Sequence, residues 1–102
     1  MRIKEVELSV GMSRSNIRYY EKEVLLNSTI HDEYNYREYT EADVEQLLRI
    51  KVLRLLEVPM EDIRVHRNDK IKLNQIIKER MRNLQILVDR VISDISDKDE
   101  IK

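Results

Sequence analysis

The last third of the chain sets the first constraint. Ile77, Met81, Leu84, Val88, Val91 and Ile95 recur at spacings of 4, 3, 4, 3 and 4 residues, which is a heptad seam. Leu73, Ile76, Leu87 and Ile92 broaden it. The pattern predicts one long helix over 69–95, and a helix of about 25 residues is about 37 Å long. A domain of roughly 65 residues, all that precedes it, is too small to cover that length. The apolar side must therefore meet another copy of the chain or a partner, and Ile77, Met81, Leu84, Val88, Val91 and Ile95 are the expected homodimer interface. The alternative is a helix doubled back on its own domain. The seam is compatible with either orientation of two helices. Residues 96–102 read as a polar tail, with fraying expected from Ser93 onward.

Residues 1–68 read as one small domain. Ile3, Val6 and Val10 lie at helical spacing with Leu8 off that stripe, predicting a short helix near Lys4–Ser9 that ends at Gly11, a residue able to take φ > 0. Ser13 is a good N-cap for a second helix running to about Glu23. At about 100° per residue, Ile17, Tyr20 and Val24 fall on one side of it, and Arg14, Ser15, Arg18 and Tyr19 on the other. The pair is a helix-turn-helix. The outer side suits a DNA groove: Arg pairs with phosphate or a guanine edge, and Ser and Tyr hydroxyls bond phosphate oxygens. A solvated amphipathic helix has the same pattern, so the neighbouring segments decide.

Helical spacing fails from Leu25 to Tyr39. Asn27-Ser28-Thr29 reads as a turn, and Ile30 to Tyr39 as two short extended pieces around His31–Asn35, a small β-hairpin wing. All five aromatic residues (Tyr19, Tyr20, Tyr34, Tyr36 and Tyr39) lie between the groove helix and the end of this wing. Tyr20 and Tyr39 read as core. Thr40-Glu41-Ala42-Asp43 is a capping-box variant that starts a third helix. Its expected apolar stripe is Val44, Leu47, Leu48, Val52, Leu55 and Leu56, widened by Ile50 and Leu53. Arg49, Lys51 and Arg54 read as a solvated face. Glu57-Val58-Pro59 breaks this helix, and Pro59 suits the first turn of a short fourth one, Met60 to about His66. Arg64, His66, Arg67, Lys70 and Lys72 form a basic run at the junction with the long helix. The fold class is therefore mainly α: a winged helix-turn-helix with a small β-hairpin, then a long coiled-coil helix.

Composition removes several functions. There is no Cys, which excludes disulfides, a thiol nucleophile and Cys-based metal or redox sensing. His31 and His66 are isolated, with no second ligand at metal spacing, so neither a metal nor a cofactor is expected. No apolar run approaches the ~20 residues of a membrane span, and a soluble cytoplasmic protein is expected. No carboxylate pair, nucleophile–base set or glycine-rich phosphate loop occurs, so the chain is not expected to be an enzyme. The net charge is −1, and residues 1–40 hold six Lys/Arg against seven Asp/Glu. Affinity for DNA rests mainly on neutralised phosphates. A near-neutral head has to place its few cations well or share the work between two copies.

The order of short motifs narrows the reading further. Ile3-Lys4-Glu5-Val6 and Gly11-Met12-Ser13 are followed by Asn16-Ile17-Arg18-Tyr19-Tyr20-Glu21. Leu25-Leu26, Tyr36-Arg37-Glu38-Tyr39-Thr40 and Asp43-Val44 come next, then Leu53-Arg54 through Pro59-Met60-Glu61-Asp62-Ile63. Over roughly residues 3 to 65 this series resembles the MerR family of bacterial transcription regulators. The resemblance implies that Tyr36 and Arg37 hold the DNA backbone, that the long helix forms an antiparallel coiled coil between two subunits, and that the dimer bends and untwists promoter spacer DNA for RNA polymerase. It also implies an effector domain after the coiled coil, where this sequence ends. The chain departs from the family pattern at Val24, Asn35 and Glu57, where relatives have Gly, and at Ile30, where they commonly have Arg. The departure at Val24 predicts that the second helix ends without a left-handed residue there.

The expectation is a homodimeric, sequence-specific regulator that contacts double-stranded DNA through Ser13, Arg14, Ser15, Asn16, Arg18 and Tyr19 on the groove helix and Tyr36 and Arg37 on the wing. Two alternatives belong to other classes. One is an interaction protein that dimerises with a full-length relative and dampens it, favoured by the low charge. The other is an excisionase-like DNA-bending protein.

Overall fold

A computed structural model describes residues 1–24, 29–31 and 36–100. The molecule is mainly helical, with a helix-turn-helix at its N-terminal end and a long helix at the other. The first helix, α1 (Ile3–Val10), buries Val6 and Val10 and leaves Leu8 exposed. It ends at Gly11, which takes the left-handed conformation (φ 64°, ψ 40°) and donates its N–H to the Glu7 carbonyl. Helix α2 (Arg14–Val24) follows at once. The Ser13 hydroxyl caps it, accepting from the Asn16 N–H at 3.2 Å. Val24 is helical and buried and avoids positive φ, as its branched Cβ requires.

Two short strands come next, β1 (Thr29–His31) and β2 (Tyr36–Glu38), paired antiparallel with Ile30 opposite Arg37. Thr29, expected in a turn with Asn27 and Ser28, and His31, expected between the extended pieces, belong to β1 instead, while Asn27, Ser28, Tyr34 and Asn35 lie outside the described residues. Just after β2, the Tyr39 N–H donates to the Met1 carbonyl at 2.7 Å, joining this segment to the start of the chain.

Helix α3 (Glu41–Leu55) opens with a complete capping box: the Thr40 hydroxyl accepts from the Asp43 N–H, and the Asp43 carboxylate accepts from the Thr40 N–H. It ends in a Schellman motif. Glu57 occupies the left-handed position (φ 62°), its N–H bonds the Arg54 carbonyl, and the Val58 N–H reaches the Leu53 carbonyl, each at 3.0 Å. Val58 and Leu53, the apolar pair of that motif, are both buried. Pro59 acts as N-cap of α4 (Met60–Val65), one residue ahead of the first-turn position expected for it, with its carbonyl taking the first helical bonds.

The buried face of α3 differs from the expected stripe. Leu47, Ile50 and Leu53 are wholly buried, while Val44 and Leu56 are half-buried. Leu48, Val52 and Leu55 are exposed, Leu55 by 74%. So many positions of this helix are apolar that its own periodicity does not choose a core side. The neighbours choose it. Leu47 joins Val6, Val10, Ile17 and Tyr39 in one cluster, and Ile50 and Leu53 join Val24, Val58, Ile63 and Leu73 in a second. Tyr20 packs against both clusters. Full burial of each such aliphatic side chain contributes about 1.5–3 kcal/mol.

The long helix, α5, runs Lys70–Glu100. The Asp69 carboxylate accepts from the Lys72 N–H at 3.0 Å at its start. Its helical backbone passes Ser93, where fraying was expected; Ser93 to Glu100 holds neither Gly nor Pro to interrupt it. Leu73 is wholly buried in the second cluster, and Ile76 and Ile77 pack against it. These three correct the seam as read from the sequence, because the first turns of α5 close the core of its own head. Met81, Leu84, Val88, Val91 and Ile95 are 40–57% exposed. The helix does not double back: the molecule measures 71 × 26 × 18 Å.

Candidate nucleic-acid interface

Helix α2 turns Ile17, Glu21 and Val24 inward and leaves Tyr20 half-buried. Its other side carries Arg14, Ser15, Asn16, Arg18 and Tyr19, all exposed. The residues expected from the sequence to meet DNA on this helix thus share one solvent-facing surface. Ser13 is exposed as well, but its hydroxyl oxygen is engaged in the cap. Tyr36 and Arg37 have their backbone in β2; the side-chain roles expected of them lie outside what the structure describes.

The two arginines are not equivalent. An Arg14 Nη lies 3.4 Å from the Glu7 carboxylate of α1, so its charge is partly answered within the head. Among the described residues nothing pairs with Arg18. Lys22, exposed one turn beyond Arg18, extends the same cationic edge; its i+4 spacing was the available signal, and the sequence reading passed over it. Tyr19 stands half-exposed with its ring edge-on to Tyr20, centroids 5.3 Å apart. The half-buried ring thereby limits how the outer phenol can lie.

Three polar ties fix α2 against the rest of the head. At its N-terminal end, the Lys51 ammonium donates to the Val10 and Gly11 carbonyls at 2.9 and 3.3 Å, holding the turn between α1 and α2 against α3. A cation suits those last carbonyls of α1, which have no helical N–H to accept from. In the middle, the Tyr39 hydroxyl donates to the buried Glu21 carboxylate. At its C-terminal end, the Arg64 guanidinium donates to the Glu23 carbonyl at 2.9 Å and pairs with the Glu23 carboxylate at 2.8 Å.

Lys51 and Arg64 therefore correct the sequence reading, which placed one on a solvated face and the other in a surface junction. The same holds for Arg49, which donates to Asn74 of α5 and to Gln46, whereas Arg54 is exposed, as expected, and donates to the Val58 carbonyl. In each pairing across elements the acceptor lies far away in sequence, so no local pattern announces it. Among the described residues, no group of three or more His, Cys, Asp or Glu is placed to hold a metal ion. No helix there is long and apolar enough to cross a membrane.

An outward-turned second helix on a rigid head, followed by a projecting apolar helix, defines a helix-turn-helix module with an appended arm. Residues 1–69 match the family described as MerR HTH family regulatory protein. The chain belongs to the MerR family. It is similar to the HTH-type transcriptional regulator ZntR of Escherichia coli K12, with 35% identity over 63 residues, covering 62% of this chain and 45% of that protein. It also resembles an uncharacterized HTH-type transcriptional regulator of Haemophilus influenzae, at 31% identity over 72 residues, covering 71% of this chain and 53% of the relative. The chain spans about half the length of the curated relatives it matches.

Proposed function

We propose that the protein is a sequence-specific, DNA-binding transcription regulator that works as a homodimer in the cytoplasm. One observation carries this reading: every α2 residue assigned to DNA contact faces solvent, on a helix tied at both ends and in its middle. Arg14, Ser15, Asn16, Arg18 and Tyr19 would meet the groove and its phosphates, with Lys22 adding a backbone contact. The strands β1 and β2 would form the wing, presenting Tyr36 and Arg37 to the adjacent backbone.

Dimerisation would follow from the exposed part of α5. Eight large apolar side chains from Met81 to Ile95, five of them on the seam, stand in water in a single copy, and a facing helix removes part of that cost. The charge pattern favours opposed helices. Lys70, Lys72, Lys78, Arg80 and Arg82 face only Glu79 in the first half, whereas Asp89, Asp94, Asp97, Asp99 and Glu100 outnumber Arg90 and Lys98 in the second. Antiparallel pairing sets each basic half beside an acidic one. Two groove helices held at a fixed separation would read a two-fold symmetric site, and distortion of a promoter spacer would bring polymerase to both of its elements.

The decisive experiment is selection of binding sites from random DNA with the purified protein. Enrichment of a two-fold symmetric site is expected, and absence of enrichment would overturn the proposal. That outcome would favour a second reading, a dimerising partner that dampens a related regulator. The near-neutral charge and the Arg14–Glu7 pair are what favour it.

A further inference from the structure

Arg14 is the first residue of α2, directly after the Ser13 cap. In a helix-turn-helix the opening residues of the second helix are the ones that reach base edges. One Arg14 Nη stands 3.4 Å from the carboxylate of Glu7, with the Arg14 side chain 47% exposed and that of Glu7 28%. Both backbones are pinned. The Glu7 carbonyl accepts from the Gly11 N–H at 3.0 Å, and Lys51 holds the Val10 and Gly11 carbonyls against α3. The contact is single and long, so most of the guanidinium N–H groups stay available. A surface pair of this kind adds little to stability; what it does change is the freedom of Arg14.

We infer that Glu7 is a positioning residue for sequence discrimination: it holds Arg14 as a reader of one guanine in each half-site and keeps it off the phosphates. The inference rests on the DNA-binding reading proposed above and assigns a residue of α1 to it. A guanidinium on a free arm gains from any phosphate within reach, whatever the sequence. Arg18, which nothing among the described residues pairs, is of that kind. Beside a carboxylate the non-specific gain shrinks, because the anion answers part of the charge and repels the phosphates. Guanine is a different acceptor. Its O6 and N7 are uncharged and lie in one plane, so they reward a fork held in the right orientation. Glu7 therefore lowers affinity for DNA in general and raises the preference for one base pair over the others. The two arginines of α2 divide the work: Arg18 grips, and Arg14 reads.

The test is selection from random DNA, followed by competition binding, with the full chain, Arg14→Ala, Glu7→Ala and the double variant, their helical content checked by circular dichroism. Arg14→Ala is expected to lose about fivefold or more of the preference for guanine at one position per half-site. Glu7→Ala is expected to bind random DNA more tightly at low salt, yet to lose about two- to fivefold of the preference at that same position. In the Arg14→Ala background, Glu7→Ala should no longer change any base preference. A wild-type chain that enriches no site would reject the DNA-binding reading itself. A wild-type site at which Arg14→Ala disturbs no guanine, or whose base preferences Glu7→Ala leaves intact or shifts equally with and without Arg14, would reject the role of Glu7 and leave that reading standing.

Discussion

The hydroxyl of Tyr39 donates to the carboxylate of Glu21, and both residues are almost wholly buried. The bond joins the end of the Arg-Tyr-Tyr-Glu motif to the end of Tyr-Arg-Glu-Tyr, and it fixes the rotation of α2 about its own axis. Tyr39→Phe removes a donor from a buried carboxylate, which costs about 1.5–3 kcal/mol. Urea denaturation of this variant should show a clearly lower midpoint with an unchanged slope. An unmoved midpoint would mean that the bond is dispensable.

Glu57 supports a change in the opposite direction. It stands in the left-handed position that closes α3, φ 62°, where a side chain is strained and glycine is not. Glu57→Gly should stabilise the head by about 0.5–1 kcal/mol, less than the full relief of strain because glycine also loosens the unfolded chain. A rise in the thermal midpoint checks it, and a fall would show that Glu57 has a compensating role.

The unequal arginines of α2 give a contrast in affinity for DNA. Arg18→Ala should flatten the dependence of log affinity on log salt by about 0.9. Arg14→Ala should lose less affinity, because its guanidinium is already paired with Glu7. Glu7→Gln should tighten binding at low salt by releasing Arg14. Equal losses at the two arginines, measured by fluorescence anisotropy across a salt series, would contradict this ordering.

Lys51 and Gly11 test the tie at the turn. A Cβ on Gly11 would sit 3.0 Å from the Lys51 ammonium, at a backbone φ of 64°. Gly11→Ala should therefore destabilise the head by about 1–2 kcal/mol, and Lys51→Met by about 1 kcal/mol through the lost carbonyl bonds. Hydrogen exchange should rise first at the end of α1. Protection left unchanged there would place the stabilising contacts elsewhere.

Much of this head is legible in the order of its residues. Local signals did well: Ser13 and Thr40 are caps, Gly11 is left-handed, and Ile17 is buried while Arg18 is exposed, because successive residues of α2 are turned about 100° from one another. Longer-range choices were harder to read. Nothing within α3 distinguishes Leu47, Ile50 and Leu53 from Leu48, Val52 and Leu55, since all are apolar; the choice is made by α1, α2, α4 and α5. Lys51 and Arg64 looked like surface charge because each reaches a backbone carbonyl 41 residues away, which carries no sequence signature. The first turns of α5 show the same limit: Leu73 and Ile77 fit a seam and a core equally well by spacing, and only the position of the head separates the two.

The guanidinium of Arg64 grips the last turn of α2 from a short helix that leads, three residues on, to Arg67, whose own guanidinium bonds the Arg64 carbonyl at 2.9 Å. The route from α2 to the base of α5 is thus a few rigid links with no slack loop between them. Helix α3 holds the same base, with Arg49 donating to Asn74 and Leu73 buried among Ile50 and Leu53, so a load on the arm meets α3 as well as α4. The arm and the outward-facing helix are thus joined through α3 and α4, on the side of α2 away from solvent.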